Sequence, residues 1–152
     1  MFWEEKIDQF KKQFSGADFN MPYTSWAKIL KKIEKHFISK NNANQHFNNW
    51  QSNIKNNNLL TTIDFADLNI YLTRLRQGFN YWVIVVLDSS PTGKQYLYDC
   101  GVEATKHLVS ITGCHSFIVD KKYRWFTFFE RDTINNCIRV YKSGLTKTPF
   151  DV

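Results

Sequence analysis

Proline, glycine and cysteine are scarce in this chain of 152 residues, and each scarcity excludes something. Three prolines and six glycines are too few for a disordered, low-complexity or collagen-like chain. The three cysteines, Cys100, Cys114 and Cys137, are odd in number and contain no C-x-x-C pair. Neither a disulfide framework nor a structural zinc site is expected from them. Cys114 and Cys137 sit in apolar stretches, where a free thiol behaves as a small buried hydrophobe, and the pattern suits a reducing compartment. The N-terminus lacks a basic segment followed by an apolar one, so no signal peptide is expected. The longest apolar run, Tyr81 to Leu87, is far short of the about 20 residues needed to span a bilayer. These absences predict a cytoplasmic protein without membrane contact.

What is present is apolar and aromatic. Hydrophobic residues make up 43% of the chain and aromatics 16%, with thirteen phenylalanines. A chain of this length fits one domain over residues 1–152 and buries about two-thirds of the surface it would expose unfolded. Net charge is +6. Residues 1–58 hold nine lysines against five acids, and residues 59–152 eleven basic against nine acidic groups. A mild basic bias of this kind serves an anionic partner, nucleic acid or solubility alike.

Periodicity places helices first. Trp3, Ile7, Phe10 and Phe14 fall on one helical face, as do Trp26, Ile29, Leu30, Ile33 and Phe37, whose helix carries Lys28, Lys31, Lys32 and Lys35 on the other side. Residues 41–58 contain nine asparagines, but Phe47, Trp50 and Ile54 keep helical spacing and predict a short helix between Asn-rich loops. Asp64 to Gln77 reads as a further helix, with Phe65, Leu68, Tyr71, Leu72 and Leu75 inward and Gly78 as its C′ residue. Strands follow at Tyr81–Leu87, Gln95–Asp99, Ser116–Asp120, Tyr123–Arg131 and Cys137–Tyr141. A helix over Gly101–Ile111 is inserted among them, and the tail from Ser143 is expected to fray. Segregation of this kind predicts an α+β fold: N-terminal helices packed on a mostly antiparallel sheet of about five strands with one inserted helix.

Chemistry-bearing constellations fail one at a time. His36, His46, His107 and His115 show no metal-ligand spacing. Asp99 and Glu103 are four apart, but Cys100-Gly101 interrupt them, and Asp99 reads instead as a helix N-cap with Glu103 in the first turn. The loop ending in Gly93-Lys94 lacks the P-loop pattern, since Asp88 stands where the first glycine should be. His115, Glu130, Arg131 and Asp132 would have to converge at a sheet end to serve a nuclease; the plainer reading is a solvated, charged strand end. No catalytic residue, cofactor or metal is therefore expected. Lys121 to Phe129 interleaves cations with aromatics, as on RNA-binding sheets. A core hairpin accounts for it better, with Tyr123, Trp125 and Phe129 on one face and Phe126 and Phe128 on the other.

The segments Tyr81-Trp82-Val83-Ile84-Val85, Tyr96-Leu97-Tyr98 and Phe117-Ile118-Val119-Asp120-Lys121-Lys122-Tyr123-Arg124-Trp125-Phe126 carry a resemblance. The stretch from Phe79 to Tyr141 resembles a family of small bacterial proteins, several of which look like immunity proteins of toxin–immunity pairs. In such proteins the strand after the Lys-Lys turn often continues into an acid, Asn and paired His; here it reads Glu130-Arg131-Asp132-Thr133, so no role of a histidine pair carries over. The resemblance implies a non-enzymatic protein whose partner is a cognate toxin. Since this chain is basic, the contacted face of that partner is expected to be neutral, acidic or largely apolar. Arginines and aromatics dominate interface hot spots, which makes Tyr123, Arg124, Arg131, Tyr141 and Lys142 the candidate contacts and strand Cys137–Tyr141 a candidate docking edge. The alternative is an RNA- or single-strand-binding module using the lysine helix and the aromatic sheet.

Overall fold

The computed structural model describes residues 3–14, 16–22, 24–39, 47–86, 96–112 and 115–151. The amphipathic stripes form helices where expected: α1 over Trp3–Gln13 buries Ile7 and Phe10, and α2 over Trp26–Phe37 buries Ile29, Ile33 and Phe37. Ser25 stands at the N-cap of α2, but its side chain makes no cap hydrogen bond. Its carbonyl accepts from Ile29 N–H instead. The Asn-rich stretch yields a 3-10 turn at Phe47–Ser52 rather than an α-helix, and Ile54 pairs with Ile38 in an isolated bridge.

The fold is α+β, with four α-helices and one antiparallel sheet among the described residues. The remaining elements are β1 (Phe19–Asn20), β2 (Asn57–Asp64), α3 (Leu68–Leu72), β3 (Tyr81–Val85), β4 (Leu97–Cys100), α4 (Val102–Thr112), β5 (Ser116–Asp120), β6 (Phe126–Asp132) and β7 (Cys137–Ser143). Seven strands lie in the order β1-β4-β3-β5-β6-β7-β2, two more than expected. The missed strands are the edges. β1 is two residues pairing with β4, and β2 pairs with all of β7. β2 escapes a pattern search because asparagines fill its start and an extra residue at Leu60 breaks its alternation. The helix expected over Asp64–Gln77 shrinks accordingly. Its first residue closes β2, a 3-10 turn covers Phe65–Asp67, and α3 ends at Leu72. Gly78 does take a left-handed φ of 84°, but well beyond the end of α3. The loop at 87–95, the start of the expected strand at Gln95, Gly113 and Cys114 lie outside the described residues.

Both faces of the sheet are covered. Phe37 and Trp50 pack on Phe126 and Phe117, which puts α2 and the 3-10 turn on one face. Trp3 and Phe19 pack on Tyr98, Tyr71 packs on Phe129, and α4 contacts β3 and β4. α1, α3 and α4 therefore cover the other. Burial on two sides explains why β3, β5 and β6 read as continuous apolar runs. Trp125, Phe126, Phe128 and Phe129 are all buried, so the Lys121–Phe129 aromatics form core, not a stacking platform.

Three further expectations are corrected. The chain after Ser143 does not fray: Phe150 is fully buried against Tyr71, Phe129 and Trp125, and Asp151 accepts from Thr148 and Lys142. β7 is not an edge, because β2 covers it. Asp99 caps no helix; α4 starts at Val102, and the Asp99 carboxylate accepts from Asn80 and Lys121 instead.

Candidate functional site

The β5–β6 connection is wider than a tight Lys-Lys hairpin. Tyr123 N–H donates to Asp120 C=O at 2.9 Å, and Asp120 N–H to Trp125 C=O at 3.2 Å. Tyr123 takes a left-handed φ of 56°, a conformation that costs a bulky residue energy and persists only where the surroundings hold it. That backbone flip separates two residues expected to share a face. Trp125 turns toward Tyr81 and Phe150. Tyr123 goes to the other face and stacks on His36 at 5.4 Å, with Lys32 Nζ 5.3 Å from its ring. Burial raises its hydroxyl pKa.

Charge accumulates around this turn. Lys121 Nζ lies 2.7 Å from Asp99 and 4.5 Å from the Trp82 ring. Arg124 wraps Asp120 from one side, with Nε 2.7 Å from Oδ2 and its own backbone N–H on the same oxygen. Burial pushes the Asp120 carboxyl up, but the Arg124 hydrogen bonds and charge outweigh it and hold the group below the usual carboxylate range. These two acids are thus neutralised. Lys122, Arg76 and Lys147 are exposed, and among the described residues no carboxylate pairs with them. On the adjoining face, Lys28, Lys31, Lys32 and Lys35 of α2 are exposed in the same way. Lys32, over the Tyr123 ring, joins this face to the turn in one basic end of the sheet.

A cleft of 390 Å³ opens beside the turn on the α3 side, lined by the cations Arg76, Arg124 and Lys147 and by the aromatics Phe79, Tyr81 and Trp125. Arg76 lays its guanidinium over the Phe79 ring at 4.9 Å. Phe79 keeps 46% of its surface exposed. Sequence reasoning missed Arg76, Phe79 and Lys147. Phe79 falls outside every apolar stripe, a usable signal. Lys147 lies in the tail that was expected to fray.

The five candidate contacts do not form one surface. Tyr123 and Arg124 lie at the turn. Arg131 lies seven residues further along, about 23 Å away at strand rise. There its guanidinium stacks on Phe65 at 3.6 Å and donates to Asn136. Tyr141 is half-buried, stacked on Phe128 and donating to Glu130. Lys142 is buried and tied to Asp151, so it is not available to a partner. The nuclease-like quartet shares the far end of β6, but its side chains do not converge: Arg131 alternates to the face opposite Glu130 and Asp132. Arg139 bridges Glu130 at 2.6 Å and Asp132 at 3.0 Å. The Asp132 carboxyl is held at about 2, chiefly by hydrogen bonds from Asn135 and then Arg139. His115 Nδ1 accepts the Arg131 backbone N–H, which leaves its proton on Nε2. Among the described residues no three His, Cys, Asp or Glu side chains gather into a metal-binding group, and no helix is long and apolar enough to cross a membrane.

Comparison with protein-family models finds no match, and neither do comparisons with curated proteins and with solved structures.

Proposed function

We propose that this chain is a non-enzymatic, cytoplasmic binding protein that neutralises a cognate bacterial toxin domain, meeting an acidic face of that partner with the basic end of its sheet. The observation that carries the reading is the pair of exposed cations Arg76 and Lys147, which have no carboxylate partner among the described residues, beside an open cleft with an exposed aromatic. Such groups steer an acidic partner and anchor it once bound. The resemblance of the Phe117–Phe126 hairpin to immunity proteins supports the neutralising role, and Tyr123 and Arg124 lie within that basic end. Co-expression with a candidate toxin from a neighbouring gene tests the proposal: growth is restored and the two proteins co-purify. A toxin that still kills, with no complex formed, refutes it.

The alternative, a single-strand nucleic-acid binder, loses its stacking platform to core burial and retains only the lysine face of α2. It requires a raised 260/280 nm absorbance ratio after purification and salt-sensitive binding.

A further inference from the structure

We propose that the cleft between Arg76 and Lys147 is a carboxylate-binding pocket that takes an acidic side chain, flanked by an apolar one, from a segment of the partner protein. The proposal rests on the neutralising role above and adds the chemistry of the contact. Three cations face this space against one carboxylate, Asp120, and that carboxylate is nine-tenths hidden and already held by Arg124. The field in the cleft is therefore positive. Arg124 itself remains 60% exposed. Its Nε and one Nη2 hydrogen are turned to Asp120, which leaves both Nη1 hydrogens and the second on Nη2 for a ligand. Arg76 lies over the Phe79 ring at 4.9 Å and lines the cleft with a second planar fork. Two such forks match a carboxylate geometrically.

The pocket is also rigid. Arg76 N–H donates to the Tyr81 hydroxyl at 3.0 Å. The Lys147 wall is pinned by buried Phe150 on one side and by the Lys142–Asp151–Thr148 bonds on the other. A preorganised wall loses little entropy on binding. The backbone around the cleft favours carboxylate over phosphate. Phosphate sites are typically built from free backbone N–H groups, but here the N–H groups of Arg76, Arg124 and Thr148 are already donated inside the protein. Recognition falls to side chains beside the aromatics of the cleft, and the exposed Phe79 ring gives the flanking apolar residue its place.

The test uses the full chain and three probes: acetyl-Asp-Phe-Glu-amide, its neutral isostere acetyl-Asn-Phe-Gln-amide, and inorganic phosphate. NMR of the arginine Nε–H and Trp125 indole signals reads the binding. The acidic peptide is expected to shift the Arg76, Arg124 and Trp125 signals, the neutral one not, and phosphate at least tenfold more weakly. The double variant Arg76→Gln/Lys147→Gln, which touches only surface side chains, is expected to weaken the acidic peptide at least tenfold while the rest of its spectrum overlays the parent. Equal binding of the neutral peptide, stronger binding of phosphate, no response to the acidic peptide, or full binding by the double variant each overturns the pocket. In cells, toxin rescue that survives the double variant overturns the pocket and leaves the neutralising role standing. Peptide binding by a chain that never rescues overturns the neutralising role alone.

Discussion

Replacing Phe150 by alanine measures how firmly the C-terminal segment is docked. The ring has no exposed surface and sits 5.2 Å from Tyr71, 5.3 Å from Phe129 and 6.3 Å from Trp125, measured between ring centroids. It therefore closes the core beneath β6 from the α3 side. Truncating a buried phenylalanine removes its transfer free energy and leaves a cavity, a loss of about 3–5 kcal/mol. For a chain of this length each kcal/mol moves Tm by about 2–4 °C, so the drop should be about 6–20 °C. Against a typical total of about 5–15 kcal/mol, that is a large fraction of the stability. Leu145, five residues earlier and 92% exposed, is the internal control, and Leu145→Ala should stay within about 0.5 kcal/mol. Urea unfolding followed by far-UV circular dichroism reads both variants, with the m-value checking that the unfolded state is comparable. If Phe150→Ala unfolds at the same urea concentration as Leu145→Ala, the docked tail and the rigid Lys147 wall of the cleft are both wrong.

Two further outcomes follow from the charge network and the sheet order. Burial pushes the Asp151 carboxyl up, but Lys142 and Thr148 outweigh it and hold the group below its ordinary value. A carboxyl depressed in the folded state contributes stability above its unfolded pKa of about 4, and the contribution is lost as pH falls through the folded value. Urea midpoints measured from pH 7 down to pH 2 should therefore fall less steeply for Asp151→Asn than for the parent on the acid side, and parallel curves would refute the Lys142–Asp151 pairing. Hydrogen exchange separates the last two strands. β7 is bonded on both sides, so its amides should be protected throughout Cys137–Ser143, whereas β2 should show protected and unprotected amides in alternation; uniform fast exchange over Asn57–Asp64 would remove β2 from the sheet.

Much of this arrangement is legible in the amino-acid order because it follows from local periodicity. The stripes of α1 and α2 and the unbroken apolar runs of β3 and β5 state their own burial, and a sheet with apolar residues on both faces requires cover on both faces. The α+β class follows from that requirement together with the segregation of helices and strands along the chain. Edges are not legible in the same way. β2 has one neighbour, few core contacts and an irregular pattern, so only its pairing with β7 identifies it as a strand. The fate of the tail is similar, since a single phenylalanine after a proline carries no period, and its burial depends on a gap left by Tyr71, Trp125 and Phe129.

The candidate site divides along the same line. The amino-acid order by itself determined that the Lys121–Arg124 turn is cationic and aromatic, and that Trp125 to Phe129 are apolar enough to be core. Only the tertiary structure decided which charges are free. Lys121 and Arg124 are neutralised by Asp99 and Asp120, and Lys142 by Asp151, while Arg76 and Lys147, distant in the chain, are left open beside Phe79. The reason is physical: a side chain's type fixes its charge, but whether that charge remains available depends on which partner the fold brings within a few ångströms. That proximity is set by packing and strand register, not by neighbours in the chain.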